Sequence, residues 1–432
     1  MTPPPILQSA TSEQLEKAVA FNHQELFRQE AIALGSAIIS AEGLFYTTGT
    51  PHSASMIAFP NLTAGNAGAQ LDALVAFYLN HPPGGAGCWS LDPAQPADLG
   101  VRLLARGFQP GWRPHWMALE LRQVQTHHPF PKGLTIVRDN DRALTAVPNL
   151  PYARVVVPRA QEAAFPGQWM RFVASIRGTV VGQSVVFLTC GEWGVAGIYH
   201  VGVVPQARNK GIGKAVTLAA CLYARDLGYR YAVLNSTDAG RHAYRQLGFG
   251  TVGDGWTWWM TIERLLAQPP DPMEVRLAEA VGRGDGGELA ALRAELAAPR
   301  AGHPAYDLNR LLTNGMSLVQ LAVHCRQPFA AAWLVEGGSV YTALDAWDLG
   351  WKDRARQLLG SDQRQIQQLY GKEEKSLLHV AAERNDTELA ELALSAGSDP
   401  HWRDNTWKAT PLEWANHFGY TTIARLIQDR KV

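Results

Sequence analysis

The chain has 432 residues, enough for roughly two to four domains, each with its own core. Basic and acidic side chains number 39 each, so no overall field draws the protein to nucleic acid or to an anionic membrane. The four cysteines, Cys88, Cys190, Cys221 and Cys325, form no CxxC or Cys/His cluster, which argues against a disulfide framework or a structural zinc and suits a reducing compartment.

At the amino end, "MTPPPILQSATSEQ" lacks the basic-then-apolar layout of a signal peptide, and no stretch approaches the roughly 20 apolar residues of a membrane helix. The expectation is a cytoplasmic protein with neither a membrane nor a nucleic-acid partner, and with no metal. The first part closes with "GCWSL" as a strand, "PADLGVRLLARG" as a helix and "HWMALEL" as a strand. A proline-rich seam, "RQVQTHHPFPKG" (122–133), comes next, because proline continues neither a helix nor a central strand.

In the middle part, "MRFVASI" and "TVVGQSVVFLT" read as strands around a turn, and "AGIYHVGVV" as a third strand. "IGKAVTLAACLYARDLG" has helical spacing, with Ile212, Val216, Ala219, Tyr223 and Leu227 on one face. "YRYAVLNST" is a strand, "AGRHAYRQLG" a short helix closed by Gly248, and "TWWMTIE" a last strand. Strands alternating with helices predict a mixed α/β sheet. Leu104 to Gly107-Phe108 and Leu247-Gly248-Phe249 end the two parts alike, which points to a duplicated fold.

A second seam, "AQPPDPMEV" (267–275), precedes Ala/Leu/Arg-rich helices. The chain is therefore cut into 1–122, 133–265 and 272–432. In the last part "TALDAW" (Thr342), "SLLHVA" (Ser376) and "TPLEWA" (Thr410) recur at a constant interval, with a weaker copy, "SLVQLA", at Ser317. Each opens a helix and a second helix follows, the pattern of a solenoid.

The sharpest chemical signal is "ARNKGIGKAV", a glycine-spaced basic loop between a strand and a helix. A nucleotide-triphosphate loop fails, since Arg208 stands where its first glycine belongs and Ala215 where Ser or Thr must follow Lys214. A dinucleotide fingerprint fails at Val216, where the third glycine is required. What remains is R-x-x-G-x-G, Arg208 to Gly213, whose backbone amides and helix start suit a pyrophosphate.

Residues 168–250 resemble the GCN5-related N-acetyltransferase (GNAT) superfamily, which binds acetyl-CoA through an R/Q-x-x-G-x-G/A loop. The likeness rests on "IYHVGVVP" before the loop, "VLNST" after the helix and "AYRQLGF" as the closing Y-x-x-x-G-F, in that order. Residues 1–122 resemble a GNAT-like half without the loop. Their corresponding stretch, "AFPNLTAGNAGAQLDALVAF", has no Arg or Gln followed by G-x-G in register, so acetyl-CoA is expected to bind there poorly or not at all. Residues 272–432 resemble ankyrin repeats, with Ser-Leu-Leu-His at 376–379 in place of Thr-Pro-Leu-His. The expected fold class is α/β (α+β): two GNAT-like mixed-sheet domains followed by an all-α ankyrin-repeat solenoid.

The resemblance implies that the amides of Arg208, Asn209, Lys210, Gly211, Ile212, Gly213 and Lys214 grip the CoA pyrophosphate. It also implies that the backbone of Gly202, Val203 and Val204 pairs with the pantetheine arm, the Val203 N–H polarising the thioester carbonyl. Tyr244 stands at the family's tyrosine, the general acid that protonates the leaving sulfur. The base is open between Glu192 and His200, with Asp238 a third choice, because no Asp or Glu lies between Trp193 and Pro205. Trp193, Trp256, Trp258 and Trp259 fall on the expected acceptor side. The implied reaction is direct transfer of acetyl from acetyl-CoA, a co-substrate, to a primary amine of a small molecule or protein in a ternary complex. The ankyrin resemblance implies a protein partner, with His379 structural and with Trp347, Trp351, Trp402, Trp407 and Trp414 as either core or recognition surface. A second reading is an ankyrin-based interaction protein whose GNAT fold senses acyl-CoA with little turnover.

Overall fold

The computed structural model describes residues 5–154, 167–297 and 306–429. The chain separates into two compact units, Met1–Pro270 and Asp271–Val432.

The first unit opens with α1 (Ser12–Ala33), started by a capping box between Thr11 and Gln14. β1 (Ile38–Ala41), β2 (Leu44–Thr47) and β3 (Ser55–Ala58) lead to α2 (Ala67–Asn80), β4 (Ala86–Asp92), α3 (Leu99–Ala105), the short β5 (Gln109–Pro110) and β6 (His115–Glu120). Then come β7 (Leu134–Arg138), β8 (Trp169–Ile176), β9 (Thr179–Leu188) and β10 (Ala196–Val203). The unit finishes with α4 (Ile212–Asp226), β11 (Tyr231–Ser236), α5 (Asp238–Leu247), β12 (Gly250–Met260) and α6 (Ile262–Ala267).

The strands form one mixed sheet in the order β1-β2-β3-β4-β12-β6-β11-β10-β9-β8-β7, with β5 against β12. The seam at 122–133 does not divide this sheet. β6, which precedes the seam, lies between β11 and β12, with Leu119 opposite Ala232. β12, which follows it, pairs with β4, Trp258 opposite Cys88. Each half has given its last strand to the other, so 1–122 and 133–265 share one sheet instead of forming two separate ones. A period-two apolar pattern specifies a strand and its buried face but not its neighbour, which is why the exchange is invisible in the sequence.

The first helix also crosses the seam. Asn22 of α1 is fully buried and donates through Nδ2 to Thr189 Oγ1 (2.9 Å), Val195 O (3.2 Å) and Phe187 O (3.3 Å), while its Oδ1 accepts from Tyr199 OH (2.6 Å). Gln29 Oε1 accepts from Trp169 Nε1 at 2.8 Å. With about 1 kcal/mol net for each such bond, α1 is fastened to the later half of the sheet.

Two local readings shift. The last strand is Gly250–Met260, and Ile262 already belongs to α6, so "TWWMTIE" spans a strand end and a helix start. On α4 the buried stripe includes Ile212, Ala215, Val216, Ala220, Cys221 and Ala224, whereas Leu227, expected inside, is half exposed. Small residues let α4 lie close on β9 and β10, and the larger Leu227 falls beyond the sheet.

The second unit is helical throughout its described residues: α7 (Pro272–Arg283), α8 (Gly286–Ala297), α9 (Leu318–His324), α10 (Pro328–Glu336), α11 (Ala343–Asp348), α12 (Lys352–Ser361), α13 (Gln363–Gln367), α14 (Leu377–Arg384), α15 (Thr387–Ser395), α16 (Pro411–Phe418) and α17 (Thr421–Asp429). The repeated Ser and Thr are its punctuation. Ser317, Thr342, Ser376 and Thr410 each cap a helix through a capping box, closed by Gln320, Asp345, His379 and Glu413. His379 Nε2 donates to Ala409 O at 2.9 Å while Nδ1 accepts from Ser376 Oγ at 2.8 Å, and burial holds the ring below its ordinary pKa. Trp347, Trp351 and Trp414 pack in this core, whereas Trp402 and Trp407 are exposed. No helix among the described residues of either unit is long and apolar enough to cross a membrane.

Candidate functional site

β10 and β11 are parallel neighbours for only two pairs, Ala196 with Ala232 and Gly197 with Val233. Beyond Gly197 the strands part, and a cleft of about 640 Å³ opens between them. It is lined by Ile198 to Val201 of β10, by Asn235 and Ser236 of β11, by Thr237, Gly240 and Tyr244 around α5, and by residues of α1 and β4. The parting coincides with a bulge in β10, where pairing with β9 slips between Tyr199 and Gly202. His200 sits in that bulge with φ +51°, a left-handed conformation that costs a non-glycine residue about 1–3 kcal/mol. The bulge turns the His200 ring toward α1, where Nε2 lies 3.1 Å from Glu30 Oε1. Tyr152 packs on the same ring at 5.4 Å between centroids.

At the end of β10 the chain enters the loop. Asn209 and Gly211 both have positive φ, +60° and +80°, and Gly211 is the left-handed N-cap of α4. Ala215 donates to Gly211 O and Arg208 to Pro205 O, but among the described residues no acceptor meets the amides of Asn209, Lys210, Gly211, Ile212, Gly213 or Lys214. Six consecutive donors at a helix start form a nest for an anion. The Arg208 side chain folds back to Val203 O (3.3 Å), Lys210 to Gln206 O (3.0 Å) and Lys214 to Gln246 Oε1 (2.6 Å). Ile212 is instead buried, anchoring the first turn in the core beside Val204 and Ala207. Val204 donates to Val181 of β9 at 3.0 Å, and strand alternation therefore turns the Val203 N–H away from β9.

The matching loop of the first half is partly paired from within. Asn66 Oδ1 accepts from Thr63 N (2.8 Å), Thr63 Oγ1 from Asn66 N (3.2 Å), and Ala67 N donates to Thr63 O (3.0 Å). Arg102 and Arg106 reach to Ala64 O and Gly68 O beside the start of α2.

The structure brings His200 and Tyr244 to one cleft. Tyr244 is pushed up to about 12 by burial, so the phenol keeps its proton throughout the neutral range. Glu192 is elsewhere. It is exposed in the hairpin before β10, at the end of the strand away from the loop, and does not line the cleft. Asp238 holds His115 Nε2 at 2.9 Å and is largely exposed. Of the four tryptophans expected around the acceptor, only Trp259 lines the cleft; Trp256 lies under the Arg113 guanidinium and Trp193 packs in the core beneath α1. The residues that sequence reasoning missed are Glu30 and His23 of α1 and Trp89 of β4. No local signal marks them, because the exchange that delivers them to the cleft is a property of the whole sheet. Among the described residues no group of three or more His, Cys, Asp or Glu could hold a metal ion.

Comparison with known proteins finds the following likenesses. A mycothiol acetyltransferase from Pseudarthrobacter chlorophenolicus is 48% identical over 56 residues, 12% of this chain and 17% of that protein, so the match spans less than a fifth of the relative's length. Among solved structures, a GCN5-related N-acetyltransferase from Kribbella flavida has 18% identity and a TM-score of 0.42, covering 56% of this chain and 95% of the other. A tandem GNAT protein from the clavulanic acid biosynthesis pathway has 15% identity and a TM-score of 0.37, covering 56% and 94%. Residues 169–251 match the acetyltransferase (GNAT) domain family, which identifies this stretch as a GNAT acetyltransferase domain.

Proposed function

We propose that the protein is an acetyl-CoA-dependent N-acetyltransferase whose single donor site is the cleft between β10 and β11 with the loop at 208–214. The observation that carries this reading is the run of six unpaired amides from Asn209 to Lys214 at the mouth of the parted strands. Asn209, Gly211 and Gly213 leave backbone donors open to the pyrophosphate, and the Val203 N–H faces the place of the thioester. Acetyl-CoA supplies an activated acyl group. His200, held by Glu30, accepts a proton from the attacking amine nitrogen as the new C–N bond forms. Tyr244 gives its hydroxyl proton to the sulfur as the C–S bond breaks. Glu30 replaces Glu192 as the carboxylate of this reading, because it lines the cleft and touches His200.

The first half is proposed to keep the fold without the donor site, since its loop lacks the R-x-x-G-x-G run and pairs the amides of Thr63, Asn66 and Ala67 internally. The second unit is proposed to be an ankyrin-type module that recruits a protein partner. Its support is the interval of 34 residues between the capping boxes at Thr342, Ser376 and Thr410. The test is a thiol-release assay on the full chain with acetyl-CoA and a panel of primary amines, beside calorimetry of acetyl-CoA alone. Saturable binding with amine-dependent thiol release is expected. Binding without release for any amine would instead make the domain an acyl-CoA sensor.

A further inference from the structure

One wall of the cleft is aromatic and comes largely from the half that lacks the donor loop. His23 and Phe27 of α1 and Trp89 of β4 line it together with Trp112, Tyr152 and Trp259. The His23 ring lies 4.7 Å from Trp89 and 4.4 Å from Phe27, and Trp112 meets Trp89 edge-on at 5.5 Å. Two polar atoms in this wall, His23 Nδ1 and Trp89 Nε1, are buried with no hydrogen-bond partner among the described residues. Both atoms lie beneath the ring faces and are not themselves exposed to the cleft, so the surface this wall offers a ligand is aromatic. Among the described residues, the only charged or titratable lining groups besides His23 and the tyrosines are Glu30 and His200, and no described lysine or arginine lines the cleft.

This wall rejects some acceptors and suits others. A carboxylate or phosphate on the acceptor would face Glu30 and meet no lysine or arginine among the described lining residues. A sugar would set most of its hydroxyls against the aromatic rings, with Asn235, Ser236 and Thr237 as the neutral polar side chains of the described lining. An ammonium group is favoured by the Glu30 carboxylate and by the ring faces, and a flat apolar body by the tryptophans.

We infer that the acceptor is a small primary amine carried on an aromatic ring, seated against Trp89, Trp112 and Trp259 with its amine directed to Glu30 and His200. The inference rests on the acetyltransferase reading for its chemistry but not for its binding site. It is tested with phenethylamine and glucosamine as probes on the full chain in the presence of CoA. Calorimetry is expected to show phenethylamine binding at least about tenfold tighter than glucosamine, a gap set by burial of one ring. Trp259→Ala and Tyr152→Ala, both more than a third exposed and so tolerant of truncation, should each weaken phenethylamine while leaving acetyl-CoA binding unchanged. Glucosamine binding as tightly as phenethylamine, or phenethylamine binding untouched by both variants, overturns the inference. The two readings fail separately. Thiol release with glucosamine but no phenethylamine binding keeps the acetyltransferase and removes the aromatic acceptor. Phenethylamine binding that both variants weaken, without thiol release from any amine, does the reverse.

Discussion

The Glu30 carboxylate lies 3.1 Å from His200 Nε2, although 170 positions separate the two residues in the chain. One belongs to the first helix of the unit and the other to a bulge in a strand beyond the proline-rich seam. On the proposed reading the base is a pair drawn from both halves, where either half by itself shows only a lone histidine or a lone glutamate. Both side chains are partly shielded, at 26% and 17% exposure, so the pair is screened from water but open to a substrate. Glu30→Gln and His200→Gln should each lower kcat about 100-fold and leave acetyl-CoA affinity unchanged. Steady-state thiol release with calorimetry checks this, and an undiminished kcat in both variants would sink the assignment.

The donor loop makes a sharper demand. Gly211→Glu places a carboxylate and a strained left-handed side chain among the free amides, and Arg208→Glu reverses a charge beside them. Either should abolish measurable acetyl-CoA binding while the thermal unfolding transition persists. Unchanged affinity by calorimetry would remove this loop from the donor site.

Tyr244→Phe deletes one oxygen from a ring that packs on Phe249 at 6.1 Å. The packing survives and the hydroxyl proposed as the proton donor does not. Turnover should fall at least about tenfold with acetyl-CoA KM unchanged. Full turnover by the phenylalanine variant would confine Tyr244 to a packing role.

His23 predicts a pH dependence of stability. Burial, with a smaller contribution from His200, lowers it from 6.5 to about 3. Below pH 6.5 the unfolded chain therefore binds a proton that the folded chain refuses, and stability falls as the pH drops toward 3. At pH 5 the loss from this one group is about 2 kcal/mol relative to pH 7. Urea unfolding followed by tryptophan fluorescence at pH 7 and pH 5 measures it. In His23→Leu the difference between the two pH values should shrink by that amount, and an equal drop in variant and parent would contradict the assignment.

The exchanged strands predict that the halves cannot be separated. A fragment of residues 123–270 lacks β6 and α1 and should show no cooperative unfolding transition, whereas fragments 1–122 and 123–432 expressed together should purify as a complex. Size-exclusion chromatography and circular dichroism of each decide it. A soluble, cooperatively melting 123–270 fragment would show that the exchange is dispensable.

Much of this arrangement is legible in the residues. The strand, the glycine-spaced turn at 211 and 213, the helix after it and the helix carrying Tyr244 follow from local spacing. The repeated Ser and Thr likewise announce four helix starts. Glu192 precedes β10, yet a residue in a hairpin faces whichever end that hairpin occupies, and this hairpin is at the end of β10 away from the loop. Glu30, His23 and Trp89 lie in ordinary helix and strand contexts. Their importance comes from strand order and helix docking, which depend on contacts between residues more than 100 positions apart.

Strand exchange also imposes a timetable on synthesis. When β4 leaves the ribosome at Asp92, the strand that will cover its edge has not been made, and it is complete only after Met260. At about 5–20 residues per second the nascent chain carries that open edge for roughly 10–30 s. An unpaired edge of this kind is a template for any other strand that reaches it. The arrangement that lets an early helix and a late strand share one cleft therefore exposes the newborn chain to pairing with its neighbours on a polysome.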